Sequence, residues 1–325
     1  MTFKQLVRAA VAALALAAGT ALAQWPERPV TMIVPYAAGG GTDATGRMIA
    51  TMLEREFGKP VNVVNRVGGG GITGHTAIAQ APADGYTIGI MTFEISTYAH
   101  MGLSSVSYRD FTPIALYNFD PAGFQVRTES PWKTGADAIA AIKAEPAKYK
   151  MSGGGGVGGS WHLATAGLFL KLGIDPTKVA VVPSNGAAPG MQELVAGGVD
   201  FIPCSIPEAR TMIEAGRARA LFVQGATRVP AFPNVPTVKE AIGVDHLGGA
   251  WRAVVGPKGM PPEVTAKLAA AVEKIWKSAE FRDFMNSRGF GLDWKAGNEF
   301  TSFLETDFNQ TGEVVKAVGL AKKPS

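Results

Sequence analysis

Short β-branched runs alternate with helical patterns along this chain, and that alternation restricts its fold more than any other feature. Several runs are continuously apolar, as expected for strands of a parallel sheet that helices cover on both faces. The runs read VTMIVP, VNVVN, YTIGIM, VAVVP, VDFIP, RALFV and WRAVV. The pattern predicts an α/β protein with helices flanking its sheets.

Three segments carry the apolar spacing of amphipathic helices. The first follows VTMIVP, with Thr42 or Asp43 expected as its N-cap and Gly58 as its C-terminal stop. A second pattern opens at Pro262, and a third covers residues 300–308. The first helix is therefore expected to begin at the glycines that precede it.

The N-terminus has the pattern of a secretory signal peptide. Lys4 and Arg8 precede an apolar stretch, and Ala21 and Ala23 fit the small-residue rule for cleavage. We expect residues 1–23 to be removed. No later segment has the roughly 18 uninterrupted apolar residues of a membrane span, so a soluble periplasmic protein is predicted.

The net charge and the cysteine content argue against a nucleic-acid-binding protein and against a disulfide-stabilised one. The chain carries +4, and losing Lys4 and Arg8 with the signal leaves +4 − 2 = +2. Without a basic run interleaved with aromatics, nucleic acid is not an expected partner. Cys204 is the one cysteine of the sequence, so no intramolecular disulfide can form, and we expect a small buried residue there.

Two glycine-rich loops each stand between a strand and a helix, in GGGTDATG and SGGGGVGGSWHLA. Neither loop has the lysine of a phosphate-binding P-loop. Both match the loose dinucleotide pattern, but Asp43 puts a carboxylate where phosphate would bind, and Asn65 replaces the expected ribose-binding acid. Export also removes the chain from the nucleotide pool, so no cofactor is expected.

A carboxylate ligand suits these loops. Helix N-termini present unpaired N–H groups and a partial positive charge, and glycines let a ligand approach the backbone. Desolvating a carboxylate costs several kcal/mol, which two or three charge-assisted hydrogen bonds of about 1.5–3 kcal/mol each can offset. The alternative is that the glycines only make tight turns.

Catalysis is not expected. The stretch from Gly158 to His162 breaks the nucleophile-elbow pattern at its last position, and Ser160 is better explained as an N-cap or a hydroxyl donor to a ligand. His162 stands beside the second loop and could contact a ligand. The histidines lack zinc-site spacing, so no metal is expected.

At 325 residues the chain exceeds one typical domain. The loop-rich stretch 94–126 could carry one crossover between lobes, and residues 241–257 could carry the return. We expect lobe 1 to comprise residues 24–123 and 248–325, and lobe 2 to comprise residues 124–247.

The chain resembles the substrate-binding proteins of tripartite tricarboxylate transporters, the TctC or Bug family. Matching motifs follow in family order over almost the whole mature chain: WPERPVTMIVPYAAGGGTDATGRMIA, VNVVNRVGGGGITG, APADGYTIGI, YRDFTPIAL, SGGGGVGGSWHLATAGLF, VVPSNGAAPGMQELVAGGVD, AGRARALFV, FPNVPTVKEA and AWRAVVGPKGMPPEVTAKL. The resemblance implies a two-lobe type II periplasmic-binding-protein fold that closes like a Venus flytrap, with no catalysis and no cofactor.

It also implies ligand and partners: a small organic carboxylate, delivered to a large and a small membrane subunit. A monomer is expected. The alternative is a receptor of the same fold that presents its ligand to a membrane sensor kinase, and the distant alternative is an exported hydrolase.

Site residues follow from the matched motifs. The carboxylate-facing loop runs from Tyr36 to Asp43, and its partner runs from Gly153 to His162, with Ser160 at the position of the family's hydroxyl donor. The turn Ser184-Asn185-Gly186 and the strand end at Asp200 should close the pocket. The full expected set is Tyr36, Ala38, Gly39, Gly40, Gly41, Thr42, Asp43, Phe93, Gly153, Gly156, Ser160, Trp161, His162, Ser184, Asn185 and Asp200.

Departures from the family bear on the ligand. Trp161 stands where a smaller residue is usual, and Phe93 stands where small hydroxyl residues are common. An aromatic wall from these two side chains could favour a flat aromatic acid over an aliphatic one. The expected carboxylate is therefore an aromatic or a dicarboxylic acid. Both side chains could instead be core residues. Glu94 and Asp43 could bind an ammonium group.

Overall fold

The computed structural model describes residues 25–154, 156–184 and 186–322. The predicted signal peptide lies outside them. The strands are β1 (Val30–Val34), β2 (Val61–Asn65), β3 (Thr87–Thr92), β4 (Phe111–Pro121), β5 (Gly123–Arg127), β6 (Lys150–Ser152), β7 (Ala180–Val182), β8 (Ala218–Val223), β9 (Gly249–Pro257) and β10 (Lys295–Ala296).

The α-helices of the described residues are α1 (Gly41–Phe57), α2 (Ile72–Ala79), α3 (Gly135–Ala144), α4 (Ser160–Lys171), α5 (Ala187–Ala196), α6 (Ile206–Glu214), α7 (Val238–Ile242), α8 (Pro262–Lys277), α9 (Ala279–Arg288) and α10 (Gly297–Ala317). None of them is long and apolar enough to cross a membrane. The chain divides into two compact units. The lobe boundaries expected from the sequence stay a prediction.

Of the described residues, the first unit contains 25–90, 109–115 and 254–277. Its strands follow the order β4, β9, β3, β1, β2, and β1 pairs in parallel with both β2 and β3. Helix α1 packs against α8, and the Trp25 and Phe57 rings meet edge to face with centroids 5.3 Å apart. The carboxyl ends of parallel β1 and β2 therefore lie at one edge of the sheet, where α1 begins.

The second unit contains residues 91–108, 116–253 and 278–325. Strand β5 pairs antiparallel with β8, and β6 pairs parallel with β7. Phe124 is the centre of an aromatic core, stacked on Phe201 at 4.6 Å and on Phe222 at 5.0 Å between ring centroids. These three side chains are fully buried, so apolar burial holds this unit together.

Buried polar groups connect β4 and β9 in the parts of these strands that belong to the second unit. The Arg252 guanidinium on β9 donates to the Asp120 carboxylate on β4 at 2.6 Å and to the Asn118 side-chain oxygen. Asp120 also accepts hydrogen bonds from the Asn118 amide at 2.9 Å and from the Gly291 N–H at 2.8 Å. The side chains of Arg252 and Asp120 are 13% and 4% exposed, so this ion pair is shielded from water.

The single thiol lies deep in the second unit. Cys204 is fully buried, and its Sγ lies 3.8 Å from the Gln125 side-chain oxygen. Burial raises the pKa of the Cys204 thiol well above its ordinary value. The expectation of a small buried residue is confirmed, and a protonated thiol is a poor nucleophile.

Three local predictions were wrong. The N-cap of α1 is Gly40, not Thr42 or Asp43, and no side chain caps this helix end within the described residues. The stretch expected to be loop-rich contains β4 and β5. The run VDFIP forms isolated bridges at Phe201 and Ile202, not a full strand. The predicted stop of α1 is confirmed, because Gly58 takes the left-handed conformation and donates to the Glu54 carbonyl.

Candidate functional site

The first glycine loop joins β1 to α1 in the first unit. Ala38, Gly39 and Gly40 are exposed. The first N–H groups of a helix have no acceptor inside that helix, and no side chain caps this end in the described part of the chain. The loop therefore offers backbone donors and the positive end of a helix dipole to an approaching anion.

Asp43 fixes this loop. Its carboxylate accepts from the Gly39 N–H at 2.9 Å, from the Arg47 side chain at 2.9 and 3.0 Å, and from the Asn65 amide at 2.8 Å. Asn65 also donates to the Tyr36 carbonyl at 2.8 Å. Burial tends to raise the pKa of Asp43, but the hydrogen bonds from Arg47, Asn65 and Gly39 lower it overall. Both carboxylate oxygens are already bonded, so Asp43 serves the loop and is a poor candidate for binding an ammonium group.

The second glycine loop joins β6 to α4 in the second unit. Helix α4 has Gly159 as its N-cap, again without a side-chain cap among the described residues. The capping role considered for Ser160 is therefore wrong, because Ser160 is the first residue of the helix. Its side chain is buried, and its hydroxyl has no protein partner in the described part of the chain. A hydroxyl donor thus stands beside an uncapped helix end.

His162 supports the second loop from inside. The Gly158 N–H donates to His162 Nδ1 at 2.9 Å, which leaves the ring proton on Nε2. Burial lowers the pKa of His162 to about 4. Gly158 has a φ of +85°, and Gly154 has a φ of +63°, so both positions favour glycine. His162 is consequently a neutral ring that holds the loop in this shape.

We expect the His162 ring to stay neutral down to about pH 4, because burial lowers its pKa to about that value. An unfolded imidazole titrates near 6.5, so the unfolded chain binds more protons between these two values. The His162 contribution to stability is therefore present above about pH 6.5 and is lost as the pH falls toward 4. ¹⁵N NMR of labelled histidine at about pH 5.5 should show a neutral ring protonated at Nε2. A cationic ring at that pH would contradict this assignment.

The turn after β7 lies with the second loop. Strands β6 and β7 are parallel with Ser152 opposite Val182, and the Gly153 N–H donates to the Val182 carbonyl at 2.8 Å. Ser184 follows directly and donates to the Gly186 carbonyl at 2.8 Å. Ser184 therefore lies beside the second loop, and its part in closing a pocket stays a prediction. Asn185 falls outside the described residues.

Asp200 lies elsewhere in the second unit. Its carboxylate accepts from the Lys150 N–H at 2.8 Å, at the start of β6. The glycine loop follows the other end of that strand. The structure does not bring Asp200 to the loop, and the expectation that it helps to close a pocket there is wrong because its carboxylate is bonded where β6 begins.

Trp161 and Phe93, the two aromatic residues that depart from the family pattern, lie in different places. Trp161 is buried in a core cluster with Ala164, Met191 and other apolar residues, and a Cβ atom at Gly154 would lie 3.2 Å from its ring. The core interpretation of Trp161 is therefore supported. Phe93, also buried, follows β3 and lines a separate cavity of the second unit.

The polar groups give little support for hydrolytic or metal chemistry. His162 Nδ1 is occupied by the Gly158 N–H, so that nitrogen does not accept the Ser160 proton. Within the described ranges no group of three or more His, Cys, Asp or Glu side chains could hold a metal ion. What the two loops share is a helix end without a side-chain cap, and such an end binds anions.

Solved structures of periplasmic binding proteins are similar to this chain. A TctC solute-binding protein from Polaromonas is 33% identical with a TM-score of 0.79, over 90% of this chain and 99% of that one. A Rhodopseudomonas palustris protein with adipate is 28% identical with a TM-score of 0.74, over 91% and 99%. MatC from the same species, with bound malate, is 27% identical with a TM-score of 0.71, over 90% and 100%.

The fold and these relatives define a solute-binding protein with the two-lobe α/β fold of the periplasmic binding proteins, as the sequence predicted. Residues 45–320 match the family described as Tripartite tricarboxylate transporter family receptor. A UPF0065 protein of Bordetella pertussis is 32% identical over 98% of both chains. The chain belongs to the TctC family, and the resemblance seen in its motifs is confirmed.

Proposed function

We propose that this protein is a periplasmic receptor that captures a small organic carboxylate with its two glycine loops and delivers it to the large and small membrane subunits of a tripartite tricarboxylate-type transporter. Export to the periplasm, after removal of residues 1–23, is part of the proposal. The observation that carries it is the uncapped end of α4 with the buried, unpartnered Ser160 hydroxyl beside it.

The ligand class is supported from two directions. Adipate and malate, the ligands of the two Rhodopseudomonas relatives, are both dicarboxylates. In the present chain the loop donors are backbone N–H groups and a hydroxyl, which suit a carboxylate oxygen better than a cation. Because Trp161 belongs to the core, an aliphatic dicarboxylate is favoured over a flat aromatic acid.

Replacing Ser160 with alanine tests the second loop. One charge-assisted hydrogen bond is worth about 1.5–3 kcal/mol, so we expect roughly tenfold weaker binding or more. Titration calorimetry with malate and adipate, chosen after a thermal-shift screen of aliphatic and aromatic acids, measures the change. Ser302→Ala, at an exposed position of α10, is the control and should bind as the parent does. Equal affinity in both variants would exclude Ser160 from the site.

Delivery is tested separately. Vesicles that contain the two membrane subunits should take up the bound acid only when the receptor is supplied. Uptake that is independent of the receptor would contradict delivery but not capture.

A further inference from the structure

A cavity of about 900 Å³ lies in the second unit. Cavities of roughly 300–1,000 Å³ are the usual size for small-molecule sites. Its wall includes the aromatic rings of Phe93 and Phe303 and the Asp307 carboxyl group. None of the residues from 153 to 162 contributes to it. Leu163 and Ala164 of α4 do line it, so the cavity shares no residue with the two glycine loops but reaches the helix that follows the second one.

Asp307 is held in one orientation. Its Oδ2 accepts from the Ser96 hydroxyl at 2.7 Å and from the Trp251 indole N–H at 3.1 Å. Trp251 is itself fixed against Phe303, edge to face, with ring centroids 5.7 Å apart. With Oδ2 anchored twice, the other oxygen has a defined position at the cavity wall. Among the described residues Oδ1 has no hydrogen-bond partner.

The other charged groups of the cavity wall are mostly neutralised in pairs. Asp293 pairs with Lys295 at 2.6 Å, Asp120 pairs with Arg252 at 2.6 Å, and Arg228 pairs with Glu240 at 2.9 Å. Arg282, a further charged residue of the wall, interacts with other protein groups. Asp307, by contrast, has no ion-pair partner in the described part of the chain. The cavity thus presents one anchored carboxylate oxygen beside aromatic rings.

We infer that this cavity is a second binding site, which takes a small protonated organic amine with Asp307 Oδ1 as the acceptor for its ammonium group. A charged N–H donor forms its strongest hydrogen bonds with a carboxylate, and aromatic faces attract the cation further. The apolar remainder of the amine would pack on Phe93 and Phe303. The inference does not depend on the carboxylate site.

The acidity of Asp307 agrees with this geometry. Burial, and in addition the nearby Glu94 carboxylate, raises the pKa of Asp307 to about 6. A bound cation would favour the ionised form. Glu94 is the charged group that acts on it directly. Further titratable or charged residues of the neighbouring segments and of the cavity wall are Tyr98, His100, Asp120, Arg228, His246, Arg252, Arg282, Asp293 and Lys295.

Benzylamine is a suitable probe, with benzyl alcohol and benzoate as neutral and anionic analogues. We expect the mature protein to bind benzylamine in calorimetry or ligand-observed NMR and to bind benzyl alcohol at least about tenfold more weakly. Since about one tenth of a carboxyl group with a pKa near 6 is ionised at pH 5, benzylamine should bind about tenfold more weakly at pH 5 than at pH 7.5. Equal binding of all three compounds would overturn the inference.

Two variants place the amine at Asp307. Asp307→Asn keeps an oxygen for Ser96 and Trp251 but removes the charge, so benzylamine affinity should fall at least about tenfold and its pH dependence should disappear. Gln310→Lys, three residues along α10 on the exposed cavity wall, puts an ammonium within reach of Asp307 and should compete with the ligand. Asn309→Lys adds the same charge outside the cavity and is the matched control.

Measuring both ligands on both variants distinguishes the amine site from the proposed carboxylate site. Ser160→Ala should leave benzylamine binding unchanged, and Asp307→Asn should leave malate binding unchanged. If Asp307→Asn fails to fold, as judged by circular dichroism, the comparison of Gln310→Lys with Asn309→Lys decides alone. Undiminished benzylamine affinity in Gln310→Lys, or an equal loss in Asn309→Lys, would overturn the assignment.

Discussion

Replacing Arg252 with methionine is expected to lower the free energy of unfolding by about 3–5 kcal/mol, because it leaves the buried Asp120 carboxylate without its cation. The Asn118 and Gly291 donors remain, but they cannot neutralise the charge. Urea unfolding followed by circular dichroism measures the loss, with the slope against denaturant unchanged if the folded state keeps its compactness.

Two variants make this test specific. Arg210→Met breaks an exposed ion pair with Glu214 and should cost less than about 1 kcal/mol. Adding Asp120→Asn to Arg252→Met removes the uncompensated charge, so the double variant should be more stable than the single one. A loss below about 1 kcal/mol for Arg252→Met would show that the pair is not shielded as the structure indicates.

Replacing Gly40 with valine is expected to weaken carboxylate binding roughly a hundredfold, because the new side chain would stand in front of two or more loop donors. Folding should be nearly unaffected. Gly40 has an extended backbone with a φ of −78°, and the nearest atom to an added Cβ is the Ala37 carbonyl oxygen at 3.8 Å. Calorimetry with malate and a thermal melt measure the two effects.

Gly74→Ala supplies the contrast for Gly40→Val. A Cβ at Gly74 would lie 2.5 Å from the Pro35 Cα and 2.8 Å from the Arg66 carbonyl oxygen, so backbone must move and stability should fall. If Gly40→Val keeps its affinity for malate, or loses affinity only in proportion to its loss of stability, the first loop is not part of the site.

Local signals in the sequence predicted the elements that depend on near neighbours. The end of α1 was readable because a glycine in the left-handed conformation stops a helix wherever it occurs, and Gly58 does so. The predicted start of α1 was wrong. Thr42 and Asp43 are good capping residues, but the Asp43 carboxylate is turned to Gly39, Arg47 and Asn65, a choice set by tertiary contacts.

Strand β4 shows what single-sequence patterns omit. The sequence analysis expected a loop-rich stretch there, and the polar residues Asn118 and Asp120 do not fit the pattern of a buried strand. Their partner Arg252 lies more than 130 residues further along the chain, so no local pattern could reveal that these groups are satisfied.

For the site, the loops were predictable and the roles of single side chains were not. A strand, glycines and a helix imply a row of backbone donors wherever they occur. Trp161 and His162 follow the same loop, yet one packs in the core and the other accepts from Gly158. Helical periodicity cannot show this, because the fold of the glycine loop decides which side chain turns inward. The cavity at Asp307 combines distant segments, and no motif marks it.

The deep burial of Cys204 makes the protein suited to optical biosensing. A thiol with no exposed surface and a raised pKa presents almost no thiolate to maleimide reagents under native conditions. A cysteine introduced at the exposed Ala38 position would therefore take up an environment-sensitive dye at one place, next to the loop proposed to receive the ligand. Fluorescence from that dye would follow ligand capture in real time without prior removal of the native thiol.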